Sequence, residues 1–286
     1  MLNTTQDPFE RFAFLQHYHN VITLSIQEGQ NILTEAQNCL APWVILAPYL
    51  WEQQRVLPDR VQPLLEVMQG SVTSIYVAAS GAYREAISLL RPLVEMVLLE
   101  WQYEATATDD AKDRDKYRFL FTKYNFDRTA RVPVIKHDKL FALEAVKHYQ
   151  DFINDQSLDE ADRGYLLRWV DVEEVRGLRH VFDAHLHAHP AGYNTVTANL
   201  SALPTFDLDQ LAMWGQWFRM VHEAIALWLQ FLYPNLMTWS QINAPHEFSW
   251  LKDHGDAQWM EVYWSDLLHP LQRKFFGVRA NITESH

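Results

Sequence analysis

Five residues of one segment recur at the spacing that joint chemistry on a helix requires. In the run VEEVRGLRHVFDAHLHAHP, Glu173, Arg176, His180, Asp183 and His187 are separated by three or four positions. On a helix they stack along one face, within roughly 80° of arc. Val175, Leu178, Phe182 and Leu186 fall on the opposite face, where they can anchor the segment in a core. His180, His185, His187 and His189 add an unusual density of imidazoles, the side chains that exchange protons near neutrality. Arginine supplies a permanent charge that grips a phosphate through two N–H groups. Together they make a minimal kit for phosphodiester cleavage: a histidine deprotonates a ribose 2′-hydroxyl and an arginine stabilises the crowded, negatively charged phosphorus. Helix arithmetic groups Arg176 with His180 and His187. Three other readings stay open: solvated histidines without a role, a hydrogen-bonded network between helices, and a metal site of His180, Asp183 and His187 suited to zinc or iron.

A second polar stripe lies on the apolar run GAYREAISLLRPLVEMVLLEW. Ser80, Arg84, Arg91, Glu95 and Gln102 share one helical face, and Arg91 and Glu95, four apart, are close enough to pair. Charges on so apolar a helix face either water or a polar partner. The stripe therefore reads as a buried ion pair, or as Arg91 lining a pocket for an anion. Pro92 should bend this helix, because it cannot donate to the carbonyl four residues back.

The elements that must position these stripes are helices. Helical periodicity dominates, and the nine glycines form no Asn-Gly or Asp-Gly hairpin turn. A first helix is expected from Pro8 to Cys39, with Asp7 as its cap. A stretch punctuated by Pro42, Pro48, Pro58 and Pro63 follows, then a long helix over Ser71–Glu104. Asp109–Arg128 and Val134–Asn154 read as helical. Ser157-Leu-Asp-Glu160 has the capping-box pattern that opens another helix, running towards His189 with a break near Gly164. Pro190-Ala-Gly192 stops it. Asp207–Tyr233 is a further helix, heavy in Trp and Leu, and the tail Pro245–Phe276 holds a last one. No fixed-period repeat and no linker is visible, so residues 1–286 read as a single helical domain.

Composition narrows the classes. Nearly half of the 286 residues are apolar and 11 are Trp, ample material for a core. The lone Cys39 excludes an internal disulfide framework and a cysteine-built zinc site. The start MLNTTQDPFERF lacks a signal-peptide pattern, and no run approaches the roughly 20 uninterrupted apolar residues of a membrane span. A cytoplasmic protein is expected. A net charge of −12 argues against indiscriminate polyanion binding. Lys112–Lys139 nevertheless carries nine Lys/Arg against four Asp, interleaved with Tyr117, Phe119, Phe121, Tyr124 and Phe126. Such a mixture can track a nucleic-acid strand, or form the solvated side of an amphipathic helix. Gly-rich phosphate loops, a Gly-x-Ser-x-Gly elbow and His-Glu-x-x-His are absent, and Glu144-Ala-Val-Lys-His148 has the wrong spacing for a di-iron bundle.

Across the two stripes the sequence resembles the HEPN-type helical families of bacteria. Their ribonuclease members carry an Arg, a polar residue, and a His after four to six intervening positions. Arg179-His180-Val181-Phe182-Asp183-Ala184-His185 fits that pattern, and the earlier helix with Arg91 and Glu95 and the later His189-Pro190 are similar to HEPN-like bacterial proteins. The resemblance covers about 71–234. It implies an all-α, HEPN-like helical bundle with extra N-terminal and C-terminal helices. It also implies a metal-independent endoribonuclease of a toxin or phage-defence system, with Arg179 and His185 catalytic and His180 assisting. Arg176, Asp183, His187, Arg91 and Glu95 then support the site or bind the anion. No cofactor is needed, RNA is the substrate, and two copies face each other as a homodimer, with an antitoxin as a protein partner. The alternative of a different class is a HEPN-like binding module without catalysis. A metal-dependent hydrolase built on the His cluster comes third.

Overall fold

The computed structural model describes residues 13–40, 43, 48–49, 58–94, 96–97, 146–147, 149–167 and 204–233, with isolated positions at 242–246, 249, 270–271 and 274. Helix accounts for nearly all of them and no strand occurs among the described residues, as the all-α reading requires. Six helices carry the description: α1 Ala13–Glu28, α2 Gln30–Cys39, α3 Pro58–Ala79, α4 Tyr83–Ser88, α5 Glu160–Leu167 and α6 Leu208–Leu232.

The expected first helix is two helices meeting at Gly29. The backbone ladder nearly runs through, with Gly29 N donating to Ser25 O (2.9 Å) and Leu33 N to Gly29 O (3.1 Å). The reason for a glycine here is the neighbour. A Cβ at Gly29 would collide with Leu211 of α6, and one at Gly215 of α6 would come within 2.6 Å of Ile32 Cγ2. Each helix thus offers a bare backbone to a branched side chain of the other, which draws α2 and α6 together. The Asp7–Pro8 start lies outside the described residues.

The helix expected over Ser71–Glu104 begins earlier, at Pro58, and is interrupted twice. Its buried positions, Leu64, Val67, Ser71, Ser74 and Ala78, alternate by three and four, so α3 presents one narrow face to the core. It ends at Gly81, whose φ of 82° is left-handed. Gly81 N donates to Ala78 O (2.9 Å) and Ala82 N to Val77 O (3.2 Å), the paired bonds of a Schellman cap. Ser80 therefore does not share a helix with Arg84 and Arg91, as the second stripe supposed. The next interruption stands where Pro92 was expected to bend the helix, and it is a break rather than a bend. Its missing N–H would have reached Ser88 O, and α4 ends at Ser88, with a turn at Leu89 before helix resumes at 90–94.

Two glycines on helix ends and interiors give an internally controlled stability prediction. Alanine at Gly81 must hold a left-handed φ and set its methyl 2.9 Å from Thr205 O, so a loss of about 1–3 kcal/mol is expected. Gly164 sits inside α5 with nothing within 4 Å of a Cβ, and Gly164→Ala should stabilise by about 0.5–1 kcal/mol. Urea unfolding of both variants checks the pair; equal effects would contradict the two environments.

The expected break near Gly164 is absent, because α5 runs through it. Its start also differs from the capping box at Ser157. Asp159 is the cap, its Oδ1 accepting from Asp162 N (2.8 Å), and Glu160 is the first helical residue rather than the third. A carboxylate at 159 suits the unpaired N–H groups of the first turn better than a hydroxyl two residues further out.

Helix α6 matches its expectation. Asp207 caps it, Oδ1 accepting from Gln210 N (3.1 Å), and Tyr233 ends it. Its first half buries Leu211, Trp214, Phe218 and Val221 along one face, whereas 224–229 are buried all round. It packs against α1, α2, α3 and α4 and is the centre of the described core.

Candidate functional site

The structure describes few of the residues that the sequence singles out. Glu173, Arg176, Arg179, His180, Asp183, His185 and His187 lie outside the described residues, as do Glu95, the basic segment Lys112–Lys139 and Trp239, Trp250, Trp259 and Trp264. Arg91 is placed: it is half-buried on the segment 90–94, whose Leu90, Leu93 and Val94 enter the core. No group of three or more His, Cys, Asp or Glu gathers around a common point among the described residues.

What the described helices do bring together is a polar cluster inside the α3–α6 contact. Ser71 and Ser74, one turn apart on the buried face of α3, meet Trp214 and His222 of α6. Trp214 Nε1 donates to Ser74 Oγ (3.1 Å), and Ser74 Oγ donates to Ala86 O (2.9 Å), tying three helical segments through one hydroxyl. His222 Nδ1 donates to Phe218 O (2.8 Å), and its Nε2 lies 2.9 Å from Ser71 Oγ. The imidazole stacks on the Phe218 ring, centroids 3.9 Å apart and planes 21° from parallel, and Phe218 in turn meets Trp214 at 5.0 Å. Ser71 and Ser74 are fully buried, and His222 is 2% exposed.

A serine hydroxyl against an imidazole whose other nitrogen is held by a carbonyl is the arrangement of an activated nucleophile. Catalysis needs more, because a substrate must reach the oxygen. Here the pair is sealed between Trp214, Phe218 and the α3 backbone, so its work is to satisfy buried polar groups and fix how α3 meets α6.

Burial pushes the His222 pKa down to about 4, against a smaller opposing pull from the Phe218 carbonyl. The folded form therefore resists a proton that the unfolded chain accepts near pH 6.5. Stability from this group is complete above that pH, falls as pH drops, and stops falling near pH 4, an expected loss on the order of 3 kcal/mol. Urea unfolding between pH 7 and 4 measures it. The slope should flatten in His222→Gln; an identical slope would exclude His222 as its source.

A second polar joint holds the entry to α6. His17 Nε2 donates to Pro204 O (2.6 Å), Asp207 N donates to Tyr83 Oη (3.1 Å), and Thr205 O closes over Gly81. Burial raises the Tyr83 pKa, and the Asp207 amide and the neighbouring Ser25 partly offset that. These contacts seat the turn 204–207 on α1 and α4 before the Asp207 cap starts the helix.

Neither joint was legible as a site. His222 stands 151 positions from Ser71, and only a lone histidine in the apolar run MVHEAIALW hints at it. No helix among the described residues is long and apolar enough to cross a membrane. No protein-family model, curated protein or solved structure matches the chain.

Proposed function

We propose that this chain is a HEPN-like cytoplasmic protein that cleaves RNA without a metal, through Arg179 and His185 with His180 assisting. The observation that carries the reading is the run Arg179-His180-…-His185 within a dense Arg/His helix pattern, in a chain whose described part is mostly helix with no strand. His185 takes the proton of a 2′-hydroxyl, and Arg179 carries the charge that develops on the phosphorus. Arg176, Asp183 and His187 orient these groups, and the basic, aromatic segment Lys112–Lys139 draws in the strand. A role in a toxin or defence system, with an antitoxin as partner, is the biological setting this chemistry fits. The direct test is incubation of the full chain with RNA in excess EDTA. Cleavage blocked by phosphate supports the reading, and intact RNA under all conditions removes it.

One observation favours a second reading. Between Ser157 and Pro190 the chain carries seven Asp and Glu against four Arg, a poor surface for a long polyanion. If RNA stays intact, a binding module for a small anion or a partner protein takes first place.

Self-association belongs to the same proposal. Leu24 and Ile26 on α1 and Val72 and Tyr76 on α3 are exposed apolar side chains, Tyr76 at 68%. Exposed apolar groups of this size often mark interfaces. Light scattering at micromolar concentration should return a dimer, and a clean monomer would rule out any mechanism that needs two facing motifs.

A further inference from the structure

The contacts around His222 pose a donor-and-acceptor problem with two complete solutions. Three short separations converge there: 2.8 Å from Nδ1 to Phe218 O, 2.9 Å from Nε2 to Ser71 Oγ, and 2.7 Å from Ser71 Oγ to Val67 O. A carbonyl only accepts, so Nδ1 carries a proton in either charge state. In a neutral ring Nε2 is then bare, and the Ser71 hydroxyl must donate to it. In a protonated ring Nε2 carries a hydrogen and donates to Ser71 Oγ, whose own proton turns to Val67 O. All three separations already lie in hydrogen-bonding range, so the exchange needs one hydroxyl rotation and no movement of heavier atoms.

We propose that Ser71 is a reversible hydrogen-bond switch that lets the α3–α6 contact take up a proton on His222 without coming apart. The hydroxyl is suited to this because it both donates and accepts, and its proton has two acceptors in reach, His222 Nε2 and Val67 O. Ser74, the other buried hydroxyl of that face, is already committed to Trp214 and Ala86 O.

Several ionisable groups of the surrounding helices have partners of their own. On α6 itself Arg219 pairs with Glu223 at 2.9 Å on the outer side, and the α2 groups Glu35 and Cys39 act on that arginine. Tyr83 of α4 is taken by Asp207, and His17 of α1 by Pro204 O. Among the described residues no charged group bears on the ionisation of His222; burial and the Phe218 carbonyl do. The proton would therefore be held by hydrogen bonds alone, and Ser71 supplies one of the two.

Nitrogen-15 NMR of histidine in the full chain tests this. At neutral pH the His222 proton should sit on Nδ1, with Nε2 accepting. On acidification His222 should gain its second proton while the amide spectrum stays native. In Ser71→Ala its midpoint should fall by about one further pH unit, because a charged N–H loses more from a missing partner than a neutral lone pair does. Ser71→Thr, which keeps the hydroxyl, should hold the wild-type midpoint. A neutral-pH proton on Nε2, protonation that coincides with loss of the native spectrum, or an unchanged midpoint in Ser71→Ala would each overturn the switch. Should the alanine variant not fold, the two wild-type measurements decide the question alone.

Discussion

If the chain is the ribonuclease proposed above, alanine at Arg179 or at His185 is expected to cut RNA cleavage by about a hundred- to a thousand-fold while leaving helical content unchanged. Base and charge partner act as a unit, so removing either forfeits most of the rate, and the double variant should be little worse than a single one. The loss should fall on kcat more than on KM, because in that reading the nine Lys/Arg of Lys112–Lys139 would supply attraction that neither substitution touches. EDTA should make no difference, since imidazole and guanidinium do this work without a Lewis acid. The opposite pattern is equally readable. If both alanine variants stay active while His180→Ala and His187→Ala are dead and EDTA inhibits, the stripe holds a metal with Asp183. The roles drawn from the Arg-to-His motif then fail.

The second large effect concerns the core. Trp214→Ala should lower stability by about 3–5 kcal/mol, the range for removing a fully buried large aromatic. Three losses coincide at this position. The cavity is ringed by Phe218 and the α3 face, the tilted contact with Phe218 disappears, and Ser74 Oγ loses the N–H it accepts. At roughly 2–4 °C per kcal/mol for a chain of this size, the Tm should fall by about 10 °C. Trp214→Phe separates the contributions, since it keeps a ring and loses the indole N–H; it should cost less than half as much. A Tm within a degree of wild type for the alanine variant would mean that α6 does not seat Trp214 against α3.

How legible the fold was depended on where the determining contact lies. Helix α6 was read within a residue at each end, because its signals are local: a carboxylate at Asp207 and an apolar pattern that stops at Tyr233. A disturbance at Pro92 was readable for the same reason, as the proline removes a bond to a known carbonyl, but the bend expected there is a full interruption at Leu89. The break at Gly81 was not readable. Glycine alone in an apolar run does not say whether φ is positive, and the carbonyl that would crowd a side chain there, Thr205 O, lies far along the chain. The start of α5 was misplaced by two residues because Ser157 and Asp159 both offer a capping oxygen, and only the bond to Asp162 N distinguishes them. As for chemistry, the Arg/His stripe could be read from spacing alone, but it lies outside the described residues. The buried histidine of the core, His222, depends on a partner in another helix that no local pattern announces.

The central place of α6 has a consequence for how the chain is made. Helices α1 to α4 all pack on α6, and the bare backbone of Gly29 waits for Leu211. Everything between Cys39 and Leu208 must be synthesised before that partner exists. At roughly 5–20 residues per second this is an interval on the order of ten to thirty seconds. From its own synthesis until the end of that interval, the apolar face of α3, with Leu64, Val67 and Ala78, has no α6 to cover it. A chain still on the ribosome and halted before Leu208 should therefore be held by chaperones and cut readily by protease within α1–α4. One halted far enough beyond Leu232 for α6 to emerge should release them.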